Sequence, residues 1–145
     1  MRPSKHDYFL EMLNLVARRS TCIRRSVGAI ITDQEGHILA TGYNGVPINF
    51  DHCISHPCRG AGDNPGDTSK CMAIHAEQNA ILQCSALERA HTLYCSNLPC
   101  FVCSKMLANT NIKVVICQED YADHSGFDIL IEAGMSVEIA GEIRG

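Results

Sequence analysis

Two short motifs in the middle of the chain combine residues that can bind a metal ion with a residue that can move a proton. The first is His75-Ala76-Glu77, and the second is Pro99-Cys100-Phe101-Val102-Cys103. Cysteines three positions apart at the start of a helix can reach one cation, and the positive end of the helix dipole lowers the pKa of a thiol there. His75, Cys100 and Cys103 offer three ligands, the number that a catalytic zinc site uses while its fourth position stays open for water.

Glu77 is the candidate for acid–base chemistry, because its position two residues after His75 lets the carboxylate face a metal-bound water molecule. Zinc lowers the pKa of such a water molecule to about 7. Glu77 could then accept its proton and return it to a leaving amine, which is general acid–base catalysis. A structural zinc knuckle would need neither Glu77 nor an open position, so the pattern favours a hydrolytic site.

The elements predicted around these motifs favour a layered α/β domain with parallel strand pairing in its second half. Apolar spacing predicts a helix over 6–19, and β-branched runs at 27–32 and 37–41 predict a hairpin. The pattern then predicts helices over 71–85, 100–108 and 125–133 and strands over 92–96, 114–117 and 136–139. Residues 42–70 lack clear periodicity, and a loop of this length is usually functional or held by a metal.

Length and composition indicate a single domain over residues 1–145. The net charge of −4 disfavours a surface that coats nucleic acid. Neither a membrane span nor a secretion signal is predicted, so we expect a cytoplasmic protein, of a cell or of the host if the source is a virus. A basic cluster is either a solvated helix end or a phosphate site. It comprises Arg18, Arg19, Arg24 and Arg25.

Nine cysteines are the main oddity of the composition. An odd count without a secretion signal disfavours a disulfide framework, and clustered cysteines beside histidines indicate metal binding. Not all nine need bind metal, since Cys84, Cys95 and Cys117 lie in apolar segments and are predicted to be small buried residues.

The two motifs and their surroundings resemble the deoxycytidylate (dCMP) deaminase family of the cytidine/deoxycytidylate zinc deaminase superfamily, whose signature is H-x-E followed by P-C-x-x-C. The likeness covers nearly the whole chain. It extends over Cys22–Ile31, Thr41–Pro47, His75–Ile81, Tyr121, Gly126 and Ala133–Gly134. The resemblance implies a three-layer α/β sandwich in which helices flank a mixed five-stranded sheet.

The resemblance also implies zinc-dependent hydrolysis of dCMP to dUMP, which supplies dUMP for thymidylate synthesis. It assigns the catalytic zinc to His75, Cys100 and Cys103 and the proton shuttle to Glu77. The residues that it places at the substrate are Asn44, Ala76, Ser96, Tyr121, Arg25 and Ser26.

Three of these substrate residues keep an alternative. Asn44 can bond a ribose hydroxyl group, or it can simply tolerate a left-handed turn. Arg25, with Ser26 beside it, is a candidate for the phosphate of a substrate or of an effector. Tyr121 is either a lid or phosphate contact or a buried aromatic residue.

Some members of the family bind dCTP as activator and dTTP as inhibitor at a subunit boundary and form hexamers. The resemblance therefore implies a homohexamer whose triphosphate effectors, with Mg²⁺, contact the loop after the second strand. The loop residues concerned are Gly42, Tyr43, Asn44 and Gly45. It also implies a second, structural zinc that would tie the long loop down. Its ligands would be Cys22, Cys53 and Cys71 with either His56 or Cys58, and the alternative is free thiols.

The chain departs from the family pattern at Tyr94–Leu98 and Ile116–Gln118, so the preference between dCMP and dCTP stays open. A transfer-RNA adenosine deaminase is disfavoured by the acidic net charge. A free cytidine deaminase more often has cysteine where His75 stands and lacks the Tyr43–Gly45 loop. A zinc-stabilised module that binds nucleotides without turnover would have no use for Glu77.

Overall fold

The computed structural model of this protein describes residues 1–62 and 70–144. These residues form four α-helices, a short 3₁₀ helix and six strands. The helices are α1 (Lys5–Ala17), α2 (Ala76–Gln83), α3 (Phe101–Ala108) and α4 (Ser125–Glu132), and the 3₁₀ helix is Leu87–Arg89. The strands are β1 (Gly28–Thr32), β2 (Ile38–Tyr43), β3 (Thr92–Asn97), β4 (Val114–Glu119), β5 (Ser136–Ile139) and β6 (Glu142–Arg144).

The described strands form one mixed sheet in the order β2-β1-β3-β4-β5-β6. Strand β1 is antiparallel to β2 and β3, whereas β3, β4 and β5 run parallel to one another. Parallel neighbours need a crossover connection, and α3 and α4 provide the two crossovers. The parallel pairing predicted for the second half of the chain is confirmed.

The sheet has six strands where five were predicted. The additional strand, β6, pairs antiparallel with β5 at the edge of the sheet. Ala140 and Gly141 join the two strands with φ angles of 52° and 85°, which makes the tight turn typical of a two-residue hairpin. All three residues of β6 are exposed, so the strand carries no apolar pattern that could reveal it.

Helices cover both faces of the sheet, which confirms the three-layer sandwich. On one face, Phe9 and Leu13 of α1 pack with Ile30 and Tyr94, and the rings of Phe9 and Tyr94 stack 4.6 Å apart. On the other face, Ile31 lies in a core shared with α2, α3 and α4. Neighbouring residues of a strand point to opposite faces, so β1 supplies both cores. Each fully buried side chain of this size stabilises the fold by about 1.5–3 kcal/mol.

The helix predicted over 71–85 begins later than its apolar pattern indicates, at Ala76. Ile74 instead forms an isolated antiparallel bridge with Gly45. The Ile74 amide donates to the Gly45 carbonyl at 2.8 Å, and the Gly45 amide donates to the Ile74 carbonyl at 3.1 Å. The extended backbone continues through His75, whose φ and ψ are −70° and 153°. This long-range pairing fixes the residue at which the helix begins.

None of the nine cysteines, all of which lie in the described part of the chain, is paired in a disulfide. Cys95 and Cys117 are buried, as predicted, and their sulfur atoms lie 3.6 Å apart between β3 and β4. Cys84 is half-buried and packs against the same core. Within the described part of the chain, no helix is both long enough and apolar enough to cross a bilayer.

Candidate metal centre and active site

The three predicted metal ligands meet where α2 and α3 begin. His75 immediately precedes α2, Cys100 immediately precedes α3, and Cys103 lies in the first turn of α3. Nδ1 of His75 is 3.2 Å from the sulfur of Cys103 and 3.5 Å from that of Cys100. The three ligand atoms all lie within 4.8 Å of one another.

This donor set fits zinc. Two thiols and an imidazole are ligands that Zn²⁺ prefers, at about 2.3 Å for sulfur and 2.0–2.1 Å for nitrogen. Tetrahedral ligands at those lengths lie roughly 3.5 Å from one another, which agrees with the distances from Nδ1 of His75 to the two sulfur atoms. Three protein ligands leave one tetrahedral position for another molecule.

The ligand side chains differ in how readily they lose a proton. Hydrogen bonds from Cys103 and His75 favour the thiolate of Cys100 and lower its pKa to about 3. The hydrogen bond to Cys100 and burial raise the pKa of Cys103. The hydrogen bond to Cys100 also raises the pKa of His75. The cluster therefore concentrates negative charge on Cys100, and a cation that binds there displaces the remaining thiol proton.

Side-chain and backbone contacts set the start of each helix. Oε1 of Gln78 accepts a hydrogen bond from the amide of His75 at 2.9 Å, which satisfies an amide that the helix itself leaves unpaired. Oγ of Ser104 donates to the carbonyl of Pro99 at 3.3 Å. A Cβ atom at Gly126 would overlap that same carbonyl, so α4 packs directly against the turn that carries Cys100.

Glu77 lies in the first turn of α2 and is buried, with 5% of its surface exposed. Burial raises the pKa of its carboxyl group, although the nearby His75 and a hydrogen bond with Cys103 oppose this rise. The carboxyl group therefore lies against the ligand cluster in a site with little access to water. A pKa moved toward neutral suits a residue that must both accept and release a proton.

Asn44 is buried just after β2, and its side-chain amide is held by the backbone of the loop that precedes β1. Its Oδ1 accepts from the amide of Val27 at 2.9 Å, and its Nδ2 donates to the carbonyl of Arg25 at 3.1 Å. The alternative of a left-handed turn is wrong, because the non-glycine residues with positive φ in the described part of the chain are Asn49 and Ala140. These contacts with described residues use one N–H and one lone pair of the Asn44 amide and leave one of each. Its predicted substrate contact stays a prediction.

Arg25 and Tyr121, the two candidates for a contact with a phosphate group, lie side by side. The guanidinium carbon of Arg25 is 5.5 Å from the centre of the Tyr121 ring, a cation–π contact. Arg25 is exposed, whereas Tyr121 is half-buried and packs against the core shared with α2, α3 and α4. The charge of Arg25 also acts on His75, whose pKa it tends to lower. Ser26 is exposed beside Arg25.

The remaining residues predicted to contact substrate or effector lie on β2 and β3 and at the start of α2. Ala76 is buried at the start of α2, and the hydroxyl group of Ser96 accepts a hydrogen bond from the amide of Gly28 at 2.9 Å. The Cβ side of Gly42 faces α2, where an added atom would overlap backbone. Tyr43 is half-buried, with the guanidinium of Arg19 6.0 Å from its ring centre. Their predicted roles at substrate and effector stay predictions.

The predicted ligands of a second zinc come together only in part. The amide of Cys58 donates to the sulfur of Cys53 at 3.5 Å, and hydrogen bonds from the Met72 amide and from other groups, including Cys53, lower the pKa of Cys58. His56 is exposed, with Nδ1 3.2 Å from the hydroxyl group of Ser55. Within residues 1–62 and 70–144, no three of the predicted ligands bring their donor atoms within 4.8 Å of one another. Those ligands are Cys22, Cys53, Cys58, Cys71 and His56.

Other residues that hold the site were not predicted from the sequence. Gln78 and Asn79 follow Glu77 in α2, and the Asn79 side chain donates to the carbonyl of Tyr43 at 2.8 Å. A capping pattern identifies Gln78, since Glu or Gln three residues after the residue that starts a helix is a known signal. Nothing local identifies Asn79, because its partner lies far away along the chain.

Comparison with known proteins agrees with this geometry. Residues 3–119 match the profile of the cytidine and deoxycytidylate deaminase zinc-binding region. The chain belongs to this family. The resemblance inferred from the sequence is thereby confirmed, and zinc is the metal that the deaminase family and the donor set of the cluster have in common.

Two relatives in the deaminase family illustrate the similarity. The chain is 37% identical to the deoxycytidylate deaminase of Saccharomyces cerevisiae over 143 residues, which is 94% of this chain and 45% of that protein. It is 36% identical to the deoxycytidylate deaminase of Mycobacterium phage D29 over 122 residues, 79% of this chain and 94% of that protein. The chain thus spans less than half the length of the yeast relative.

The solved structures include a deaminase of similar size. It is the dCMP deaminase from the cyanophage S-TIM5 in complex with dCMP and dUMP, with a TM-score of 0.77 and 32% identity. The match covers 96% of this chain and 98% of the cyanophage chain. The predicted fold class is confirmed, apart from the strand count.

Proposed function

We propose that this protein is a zinc-dependent dCMP deaminase, which converts dCMP and water into dUMP and ammonia. The observation that carries the proposal is the buried carboxyl group of Glu77 against the cluster of His75, Cys100 and Cys103. A module that only binds nucleotides would gain nothing from burying a carboxyl group there. The complex of the similar cyanophage protein supports dCMP as substrate and dUMP as product.

When zinc is held by His75, Cys100 and Cys103, it supplies the Lewis acidity that activates a water molecule for attack on C4 of cytosine. Glu77 moves the protons. Its carboxylate accepts one proton of water as the C4–O bond forms and passes it to N3. It then accepts the second proton from the new hydroxyl group and delivers it to the exocyclic nitrogen as the C4–N bond breaks. Of the two protons of water, one ends on N3 of the uracil ring and the other leaves with ammonia.

The rest of the site binds and orients the nucleotide. Arg25, Ser26 and Tyr121 form the end of the site that receives the 5′-phosphate, because Arg25 is a charged donor held over the Tyr121 ring. Asn44 uses its remaining N–H and lone pair on the sugar or base. Ala76 and Ser96, both of them buried, would border the base.

The test follows the loss of cytosine absorbance in the ultraviolet with deoxycytidine and with its mono-, di- and triphosphates. We expect turnover of dCMP; turnover of dCTP in its place would favour the alternative substrate. Glu77→Gln should retain as much zinc per chain as the wild-type protein and lose turnover by at least about 10²-fold, because it removes the proton carrier. Turnover by Glu77→Gln at the wild-type rate would refute the role of Glu77. Tight nucleotide binding by the wild-type protein without any turnover would favour the binding module.

Regulation and assembly form a finer part of the proposal. We place dCTP as activator and dTTP as inhibitor, each with Mg²⁺, at Gly42–Gly45 in a homohexamer, because the motif of the regulated family members is intact. Measuring deamination against dTTP concentration, with light scattering for the assembly mass, tests both. A rate that does not respond to dTTP removes the regulatory part alone.

A second zinc, held by Cys22, Cys53 and Cys71 with either His56 or Cys58, is likewise part of the proposal. Its support is the contact between Cys53 and Cys58, together with the hydrogen bonds that lower the pKa of the Cys58 thiol. A lowered pKa makes a thiol a better metal ligand. Elemental analysis should find two zinc atoms per chain, and a value of one would remove the second site.

A further inference from the structure

The segment Tyr43–Gly45 is fastened to the residues that begin the catalytic helix α2. Its backbone pairs with Ile74 through two hydrogen bonds at Gly45, directly before the metal ligand His75. A third bond comes from a side chain of α2 itself. Nδ2 of Asn79 donates to the carbonyl of Tyr43 at 2.8 Å.

Asn79 is rigidly placed relative to the reacting groups. It lies two residues after Glu77, and its own amide donates to the carbonyl of His75 at 3.0 Å. Its side chain is half-buried, so the bond to Tyr43 is partly shielded from water. A hydrogen bond in such surroundings costs more to lose than one at the surface.

Close packing leaves this part of the fold little freedom to adjust. A Cβ atom at Gly42 would overlap the carbonyl of Ala76 and the amide of Ala80, so β2 lies directly on α2. The carbonyl that follows, at Tyr43, is thereby brought to the face of α2 that presents Asn79.

The position of Tyr43–Gly45 also sets the position of the end of the site that is proposed to receive the phosphate. Asn44 holds the backbone of Arg25 and Val27 through both ends of its amide. Arg25 in turn lies over the ring of Tyr121. The bond from Asn79 therefore links the helix that carries the chemistry to the loop that carries the nucleotide contacts.

We propose that Asn79 is a positioning residue, which sets the nucleotide-binding segment Tyr43–Gly45 at the correct distance from His75 and Glu77. The inference rests on the proposed function. Loss of the bond should weaken nucleotide binding, whereas the chemical step and the zinc should be little affected, because His75 and Glu77 stay in place.

The test compares Asn79→Asp with the matched control Asn111→Asp. Asn111 also donates from Nδ2 to a backbone carbonyl, that of Glu88 at 3.2 Å, but at the surface away from the site. Aspartate keeps the shape of asparagine and places an acceptor where a donor is required. We expect Asn79→Asp to raise KM for dCMP and the Kd for dUMP by about tenfold, with kcat within about threefold and one catalytic zinc retained.

Asn79→Ala provides a second variant, because it removes the donor without adding a charge, and it should raise KM in the same direction. The inference is overturned if both variants keep KM and Kd within about twofold of wild type, or if Asn111→Asp shows the same rise. A fall in kcat with unchanged KM would also overturn it. If wild-type protein carrying zinc neither deaminates dCMP nor binds dUMP, the proposed function fails and the inference fails with it.

Discussion

Replacement of Gly42 by alanine perturbs the contact between β2 and the catalytic helix most directly. The added methyl group would overlap the carbonyl of Ala76 and the amide of Ala80, and it would lie 2.9 Å from the Cα of Ala80. Ordinary contacts of such a carbon atom are about 3.5–4.0 Å, so α2 must retreat by roughly 0.5–1 Å. All three neighbouring atoms are backbone, which a side-chain rotation cannot move aside.

Two effects should follow, one on stability and one on activity. Overpacking of this kind costs about 1–3 kcal/mol, which for a domain of this size lowers Tm by roughly 3–12 °C. His75 and Glu77 move with α2, and a displacement near 1 Å in an active site can lower turnover by about 10²-fold. We therefore expect kcat for dCMP to fall by more than can be explained by the fraction of protein that the lower Tm leaves unfolded at the assay temperature.

The assay measures Tm by calorimetry and kcat by the loss of cytosine absorbance, with Gly62→Ala as the matched control. Among the described residues, a methyl group at Gly62 meets no atom within 4 Å, and the φ angle of Gly62 lies outside the left-handed range that favours glycine. That variant should behave as wild type in both measurements. Wild-type Tm and kcat in Gly42→Ala would refute the argument that β2 holds α2 through this glycine.

Three further predictions test other contacts. Gln78→Met should speed the loss of zinc to a chelator by about tenfold, because methionine lacks the oxygen atom that accepts a hydrogen bond from the His75 amide. Gln78→Glu keeps such an oxygen and should lose zinc at the wild-type rate; equal rates in the two variants would show that this hydrogen bond does not hold His75. Arg25→Gln should raise KM for dCMP by about tenfold or more and leave deoxycytidine unaffected; a similar effect on both would place Arg25 away from the phosphate. Burial opposes ionisation of Asp33, yet hydrogen bonds from the His37 amide and ring lower the pKa of Asp33 below its unfolded value. Its contribution to stability should therefore be fully present near pH 6 and decrease below about pH 4, as the pH falls through the lowered pKa. Calorimetry of Asp33→Asn and wild type across this range checks this; a difference in Tm that stays constant would show that Asp33 does not titrate there.

The metal ligands and the proton carrier could be predicted from the sequence because their geometry is local. Cys100 and Cys103 meet the same point since one helical turn separates them, and Glu77 is fixed relative to His75 by the start of α2. The position of His75 beside the two cysteines depends on the fold, and the fold was predicted from the family resemblance. The structure agrees with each of these placements.

The predictions were less complete where a residue acts through partners distant in sequence. The start of α2 was misplaced because Ile74 pairs with Gly45, which no apolar spacing reveals. The spacing of Cys22, Cys53 and Cys71 gave no distance between them, because the intervening loop has no periodic structure from which a distance follows. The exposed strand β6 was missed because its residues have no core to face.

The same distinction separates the chemistry of this site from its selectivity. The groups proposed to transfer protons and to hold zinc lie on two helix ends whose local sequence defines them. The groups proposed to select the nucleotide depend on contacts that run from Asn79 through Tyr43 and Asn44 to Arg25, and these contacts exist only in the folded chain. Substitutions along these contacts should alter KM and the preference among phosphates before they alter kcat. Substrate range within this fold can therefore change while the catalytic motifs stay intact.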